Sequence, residues 1–304
     1  MSRGAKPYRG ERKAAVLMLA PAVTILLALS IAPITYLVYT SFHRHNLFQA
    51  APPEFVGWGN FTYLFSQTIF LTALLRTFEL AFVALAFELV LGFLLAALVF
   101  RQRDLPAMGL VRTILTMPIL IAPIVAALMW RFMYHADFGV INYLFGFLGI
   151  PAHAWLSDSR LALWAVAAID IWQWTPFVFL VVLAGMYGLP RSIYEAAELD
   201  GTNIFRQTVF ITIPMLRQVL VIVLLLRLID LLRLFDVIVG TTTGGPGSAT
   251  LTLPVLIWSD AFKNFAMGDA SAESLVLLLV ITVIITILVR VITRGRGIAG
   301  ATPR

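Results

Sequence analysis

Long apolar stretches alternate with shorter polar ones along the chain, and this pattern predicts the secondary structure. Six apolar runs are each long enough for a helix to cross a hydrocarbon core of roughly 30 Å. A spanning helix satisfies its own backbone hydrogen bonds, and the ten-residue alternation of a membrane barrel is absent from the sequence. The pattern therefore predicts an all-α, polytopic membrane protein whose six transmembrane helices cover approximately residues 14–40, 70–100, 111–134, 161–186, 219–239 and 275–292.

The connections between these runs are rich in polar residues, glycine and proline. The stretches that begin at about residue 41, after Tyr134 and around Gly244 are expected to be loops. The third predicted span contains Pro118 and Pro123, which neighbouring helices would have to accommodate.

Composition agrees with a membrane protein. Of the 304 residues, 60% are apolar and 12% are charged, and the mean hydropathy is +0.92. Soluble domains carry roughly a quarter charged residues. The absence of cysteine excludes disulfide bonds and thiolate metal sites. The four histidines fall in predicted loops without a paired spacing, so no metal site is predicted.

The net charge of +6 invites a nucleic-acid interpretation, but the basic residues follow membrane topology instead. Fifteen of the 22 Lys and Arg residues lie at the two termini and in the predicted inner turns. Five flank the outer ends of spans, and Arg227 and Arg233 lie within a span. Because positive residues are retained in the cytoplasm, both termini and the polar stretch at 191–217 are expected there. No nucleic-acid partner is predicted.

The polar stretch at 191–217 separates the fourth and fifth predicted spans. Ser192 and Glu195 have the spacing of a capping box, which predicts that a short helix starts there. On spacing alone, this is either a functional element or an interfacial helix whose carboxylates serve only its own backbone.

The same stretch contains signals for the end of that helix and for a second one. Gly201 is predicted to end the first helix in a left-handed conformation. Thr202 and Asn203 are predicted to cap a second helix, which Pro214 would end. The stretch is therefore predicted to fold as helix, turn and helix.

These residues also resemble a known motif. Glu195-Ala196-Ala197, followed by Asp200-Gly201 and then Ile213-Pro214, resembles the EAA loop of ABC importer permeases, the cytoplasmic element that contacts the ATPase. The chain is similar to the carbohydrate-uptake, maltose-transporter-like branch of that family from the second span to the sixth. This wider similarity is carried by Met117-Pro118, Gly185, Leu189-Pro190, Phe235-Asp236, Thr242 and Gly244-Gly245-Pro246.

The resemblance implies a type I ABC importer permease fold. Residues 1–68 would contain the first span, residues 69–294 the permease core, and residues 295–304 a cytoplasmic tail. It also implies a transport subunit, not an enzyme, in the cytoplasmic membrane of a bacterium or archaeon. The residues implied to couple this chain to the ATPase are Glu195, Ala196, Ala197, Asp200 and Gly201.

The partners implied by the resemblance are a second, homologous permease subunit, two ATPase subunits, an extracytoplasmic solute-binding protein and the lipid bilayer. ATP and Mg belong on the partner ATPase. The chain lacks a Gly-x-x-x-x-Gly-Lys phosphate loop, so it is expected to bind no cofactor itself.

Two predicted spans carry ionisable residues at depth, where charge is costly. The fifth span contains Arg227, Asp230, Arg233 and Asp236, which recur every three residues and predict a ladder of charges along one helix. This ladder either fixes helix packing through ion pairs or lines the substrate path.

The fourth span contains Asp170 close to Trp172, Gln173 and Trp174. A carboxylate beside an aromatic face suits a sugar, whose hydroxyl groups donate hydrogen bonds and whose ring has an apolar face. The resemblance carries the substrate-lining positions of the carbohydrate branch onto Asp170, Trp174, Phe177, Asp230 and Arg233.

The predicted function is therefore a permease subunit that imports a sugar or related polyol delivered by a solute-binding protein. Relatives commonly carry amides where this chain has Asp and Arg, which leaves the solute open. One alternative is the same architecture for a phosphorylated polyol or other charged solute, favoured by Arg227 and Arg233. Another is a stand-alone channel or ion-coupled carrier that uses the charge ladder.

Overall fold

The computed structural model describes residues 9–49 and 51–297. Arg3, Lys6 and Arg304, which enter the predicted orientation of the termini, lie outside the described residues. Within the described ranges, five helices are long and apolar enough to cross a membrane, and a bent pair of helices makes a sixth span when it is counted as one. The predicted all-α, six-span architecture is confirmed.

Short elements separate the long helices. A 3₁₀ turn, Met117–Leu120, follows the fourth helix, and a π-helical turn, Thr208–Thr212, joins the ninth helix to the tenth. Two strands, β1 (His43–Arg44) and β2 (Glu54–Phe55), pair antiparallel. In chain order the helices of the described part are α1 (Arg9–Ser41), α2 (Gly59–Ser66), α3 (Thr68–Arg101), α4 (Met108–Thr116), α5 (Pro123–Met133), α6 (Val140–Gly146), α7 (Ala162–Tyr187), α8 (Arg191–Leu199), α9 (Ile204–Gln207), α10 (Ile213–Leu232), α11 (Asp236–Thr241), α12 (Leu253–Phe262) and α13 (Met267–Gly297).

The third span is broken at its prolines. α4 and the 3₁₀ turn end at Leu120, α5 starts at Pro123, and the two halves meet at 96°. Proline disfavours helical backbone at the residue before it, and Ala122, which precedes Pro123, accordingly has a ψ angle of 136°. Ile121 is also extended, with a ψ angle of 130°. Pro118 lies in the 3₁₀ turn. The prolines therefore bend the span instead of being accommodated in a straight helix.

The fifth span starts and ends before the predicted 219–239. α9, the π-helical turn and α10 run as one span that ends at Leu232. The prediction that Pro214 ends a helix is wrong. In the wider turn before it, the Ile213 N–H donates to the Thr208 carbonyl, so the missing N–H of Pro214 falls in the first turn of a new α-helical segment.

The described part of the chain divides into two compact units, one within residues 9–66 and 260–276 and the other within residues 67–259 and 277–297. In the first unit, the predicted loop after residue 41 contains β1, β2 and α2. The Asn60 side chain donates to the carbonyls of Ser41 and His43 at 2.9 and 3.0 Å, which fixes α2 to β1. Elements this short show no clear periodicity, and α6 and α12 likewise occupy stretches predicted as loops.

The second unit is built around α3, α7 and α10. One apolar cluster surrounds Ile169 and Leu231, and another surrounds Phe179 and Met186. α3 and α7 approach closely at Gly92, where an added Cβ would lie 2.6 Å from side-chain atoms of Val178. Small residues permit such approach between membrane helices, where packing is the main attraction.

We predict that Gly92→Ala destabilises the protein, because its Cβ would overlap Val178 on α7. Overpacking of this kind costs about 1–3 kcal/mol. Gly109→Ala in α4 is the matched control, since no atom lies within 4 Å of an added Cβ there. The apparent melting temperature in detergent should fall for Gly92→Ala and stay level or rise for Gly109→Ala. Equal melting temperatures would contradict close α3–α7 packing.

Candidate functional site

The polar stretch between α7 and α10, which contains α8, α9 and the π-helical turn, is the first candidate site. We refer to it as the polar turn. α8 starts directly after Pro190, whose backbone is extended (φ −64°, ψ 128°), and no side chain caps it. The predicted capping box is therefore wrong. With the helix starting at Arg191, Ser192 lies inside the first turn, and Glu195 lies two residues beyond the third helical position, from which a capping-box carboxylate reaches back.

The end of α8 is as predicted. Gly201 has φ +71°, and its N–H donates to the Glu198 carbonyl at 3.0 Å. The following amide donates to the Ala197 carbonyl at 3.0 Å, which completes a Schellman motif. Asn203 caps α9 by accepting from the Arg206 N–H at 2.9 Å. The turn is thus fixed by its own backbone and leaves the outer face of α8 free.

That outer face is partly acidic and partly apolar. Glu195, Ala196 and Asp200 are exposed, whereas Ala197 is buried. Leu199, in the last turn of α8, is 90% exposed. A single exposed leucine is common on protein surfaces, so the exposed carboxylates and the resemblance to the coupling loop, not Leu199, make this face a candidate site.

The inner face of α8 is joined to the membrane helices. Tyr194 and Thr212 place their hydroxyl groups 2.9 Å apart, which links α8 to the π-helical turn. A cavity of about 350 Å³ lies between the end of α3, α8 and that turn. Its charged lining residues are Arg101, Arg103, Asp104, Arg191, Glu195 and Glu198. α8 is thus linked to the π-helical turn of the fifth span by a hydrogen bond and faces the end of α3 across this cavity.

The second candidate site is a group of three charged residues where α3, α7 and α10 meet. Arg227 donates through Nε and Nη2 to the two carboxylate oxygens of Glu88, at 2.6 and 2.7 Å. Nη2 also donates to Oδ2 of Asp170 at 2.7 Å. All three residues are buried. We refer to Glu88, Asp170 and Arg227 as the ion cluster.

Aromatic and acidic side chains lie beside the ion cluster. The Cζ atom of Arg227 lies 4.7 Å from the centroid of the Trp174 ring. The Phe177 ring meets Trp174 edge to face, with centroids 6.2 Å apart and an interplanar angle of 79°. Asp230 Oδ2 is 3.9 Å from Arg227 Nη1, and the Asp230 side chain is 55% exposed. The structure thus brings together the predicted residues Asp170, Trp174, Phe177 and Asp230.

The predicted charge ladder on the fifth span is wrong as a continuous feature. α10 ends at Leu232, Arg233 is the residue that follows it, and Asp236 begins the separate helix α11. Arg233 is exposed, and within the described residues no ion pair joins it to the ion cluster. A proline or glycine would have signalled this break, but the sequence has neither at that point.

Glu88 was not predicted as a site residue. It is 139 positions from Arg227 along the chain, so no helical spacing connects the two. The available signal was chemical: an acidic residue deep in one apolar run needs a basic partner, and Arg227 is deep in another. Spacing along the sequence predicts which residues meet on one helix, but it does not predict which residues meet between two helices.

The bend in the third span is also tied to α7. Gln173, which is buried, donates through Nε2 to the carbonyl of Ile121 at 2.6 Å. Ile121 lies at the bend, where its carbonyl has no place in a regular helix. The side chain next to Trp174 therefore supports the irregular backbone of a neighbouring span.

Comparison with known proteins identifies the family. The family model for the inner membrane component of binding-protein-dependent transport systems matches residues 88–296. The chain belongs to this family. It is 36% identical to the trehalose/maltose transport system permease protein MalF of Thermococcus litoralis, over 90% of each chain. It is 32% identical to the sulfoquinovosyl glycerol transport system permease protein SmoG of Agrobacterium fabrum, over 93% of this chain and 91% of that one.

Solved structures agree on the fold. A chain in the crystal structure of a bacterial ABC transporter that imports the acidic polysaccharide alginate superposes with a TM-score of 0.81, covering 94% of this chain and 96% of that one at 21% identity. A second structure of an alginate transporter, in complex with an alginate pentasaccharide-bound periplasmic protein, gives a TM-score of 0.78 over 92% and 93%. The chain has the type I ABC importer permease fold.

We predict that Arg227→Met sharply lowers the yield of folded protein, because it leaves Glu88 and Asp170 buried without a cation. Breaking a buried ion pair costs about 3–5 kcal/mol. Replacing the whole ion cluster, by Glu88→Gln with Asp170→Asn and Arg227→Met, should restore the yield, since complete replacement of buried ions is often neutral. Size-exclusion chromatography in detergent measures both. If Arg227→Met alone folds as well as the parent, the ion cluster does not hold the three spans together.

Proposed function

We propose that this chain is one of two permease subunits of an ATP-driven importer and that its solute is a sugar or a related polyol. The observation that carries the proposal is its 36% identity, over 90% of both chains, to a trehalose/maltose permease. The half-buried indole of Trp174 beside the exposed carboxylate of Asp230 supports it, because this pair suits a ring with one apolar face and several hydroxyl groups.

The solute site would lie on α7 and α10. Trp174 and Phe177 supply aromatic surface, and Asp230 and Arg233 supply exposed charged groups. Asp170 acts from beneath this surface, since its Oδ2 is bound to Arg227. The chain leaves Asp230 and Arg233 open on its own surface, so a second permease subunit would complete the enclosure.

Coupling to the ATPase would take place at the polar turn. Glu195, Ala196 and Asp200 lie on the free face of α8, Ala197 packs inward, and Gly201 supplies the left-handed turn. ATP and Mg are bound by two partner ATPase subunits. Their closure would displace α8, and the link from Tyr194 to Thr212 would pass the displacement to the fifth span.

A solute-binding protein would deliver the sugar from the opposite side of the membrane. A structure of an importer with this fold contains a periplasmic protein loaded with an oligosaccharide. In this arrangement both termini and the polar turn face the cytoplasm, in keeping with the distribution of Lys and Arg. The two permease halves would then alternate between outward and inward access.

A second candidate solute is a phosphorylated polyol. The chain is 30% identical to the sn-glycerol-3-phosphate transport system permease protein UgpA of Pectobacterium atrosepticum, over 79% of this chain and 81% of that one. Arg233 is the exposed cation that would favour it.

Gly201→Asp should uncouple transport from ATP hydrolysis, because it places a charged side chain at the docking turn. Gly247→Asp is the matched control: both glycines are exposed with positive φ, +71° and +61°, and neither has an atom within 4 Å of an added Cβ. The strain of φ > 0 is therefore similar in both. We expect affinity purification to recover the ATPase with Gly247→Asp and to lose most of it with Gly201→Asp. Equal recovery of the ATPase with the two variants would contradict the proposal that it binds at this turn.

Trp174→Ala should lower ATP-dependent sugar uptake by at least tenfold while the subunits still assemble, because it removes the stacking surface. The pair Asp230→Asn with Arg233→Gln should act in the same direction, since it removes the exposed negative and positive charges. Ser192→Ala, an exposed residue without a capping role, is the control. Parental uptake by both site variants would show that the path lies elsewhere, on the third and sixth spans.

A further inference from the structure

Arg227 is placed to influence the binding surface without touching a solute. Its residue surface is 1% exposed, and Nε and Nη2 are occupied by Glu88 and Asp170. The Cζ atom of the guanidinium group lies 4.7 Å from the centroid of the Trp174 ring, within the range of a cation–π contact. Arg227 is thus a support for Trp174. The sequence-based alternative is that Arg227 binds an anionic solute, but its donors on the Glu88 and Asp170 sides are already occupied.

The ion cluster fixes the plane of this support. Glu88 binds one edge of the guanidinium group through both of its oxygens, and Asp170 binds at Nη2 from another helix. A planar, delocalised cation held in this way attracts the face of an indole and restricts how the ring turns. Phe177 adds an edge contact one turn along α7. The orientation of Trp174 is therefore set by residues from three spans.

The charges around this surface nearly balance. Three carboxylates, those of Glu88, Asp170 and Asp230, lie around the guanidinium group of Arg227, and Arg233 adds an exposed second cation, so the formal charge is −1 when all five groups are ionised. Such a surface offers acceptors to hydroxyl donors and has no net positive charge to attract a phosphate, sulfonate or carboxylate group.

We propose that Arg227 is a positioning residue that determines specificity: it holds the indole of Trp174 as a flat platform for the apolar face of an uncharged sugar ring, beside the acceptor Asp230. This inference rests on the proposed function, the import of a carbohydrate, and narrows it to a neutral one. Sugar hydroxyls donate to Asp230, and the surface has no net positive charge that would attract an anionic solute.

The positioning role is tested without any solute. The seven tryptophans of the chain are replaced by 5-fluorotryptophan in the importer purified with its copurifying subunits, and Trp174→Phe identifies the fluorine signal of Trp174. The variant with Glu88→Gln, Asp170→Asn and Arg227→Met should shift and broaden that signal and leave the signal of Trp58 in place. Arg227→Lys, which keeps the charge but loses the planar fork, should act in the same direction. A Trp174 signal unchanged in both variants would overturn the proposal.

The specificity is tested by ATP-dependent uptake in cells that carry the complete importer. The probes are maltose and trehalose, which are neutral, and glycerol 3-phosphate and glucuronate, which are anionic. We expect a neutral probe to enter at least tenfold faster than either anion. Arg227→Lys should raise the KM for that probe severalfold in the parent but add nothing in a Trp174→Ala background, because Arg227 acts through Trp174.

Additive effects of Arg227→Lys and Trp174→Ala on the KM would overturn the positioning role. Faster uptake of an anionic probe would overturn the proposed specificity for a neutral sugar, but the chain would still be part of an importer. Failure to take up any of the four probes would count against the proposed carbohydrate function. In that case the fluorine signal still decides the positioning role by itself.

Discussion

The buried guanidinium group of Arg227 constrains three membrane spans at once. Ionised side chains inside a membrane are costly, and these three persist because Arg227 donates to both carboxylates at 2.6–2.7 Å. The distances fix α3, α7 and α10 relative to one another. The proposed binding surface follows from this placement, since Trp174 is one turn from Asp170 on α7 and Asp230 is three residues from Arg227 on α10. A binding surface built on an ion cluster is rigid without being enclosed.

Backbone N–H and C=O groups inside a membrane must also find hydrogen-bond partners. Two places where the backbone departs from a regular α-helix lie beside the two candidate sites. At the bend of the third span, the Gln173 amide donates to the Ile121 carbonyl at 2.6 Å. At the π-helical turn of the fifth span, the Thr212 hydroxyl donates to the Gln207 carbonyl at 3.3 Å. Polar side chains thus compensate each irregularity where water is excluded. The first irregularity adjoins Trp174, and the second adjoins α8.

Apolar run length was sufficient to predict the number of spans and placed α3 and α7 to within two residues of their observed ends, because a helix in lipid satisfies its own backbone. Local turn chemistry predicted Gly201 and Asn203 correctly, since these signals act over a few residues. The predicted start of α8 and the predicted break at Pro214 were wrong. The observed cap at Pro190 lies two residues before the predicted cap at Ser192, and the π-helical turn adds one residue to the turn before Pro214. The ion cluster joins three helices far apart in sequence, so spacing along one helix could not reveal it.

We expect Arg227 to stay bound to Glu88 and Asp170 and to support Trp174 from beneath. A cryo-electron microscopy map of the assembled importer, at a resolution that shows side chains, tests this arrangement directly in the resting and solute-loaded states. We predict continuous density from Arg227 to both carboxylates in each state, with the solute on the opposite face of the Trp174 indole. Density that shows Arg227 released from Glu88 and turned to contact the solute would contradict it.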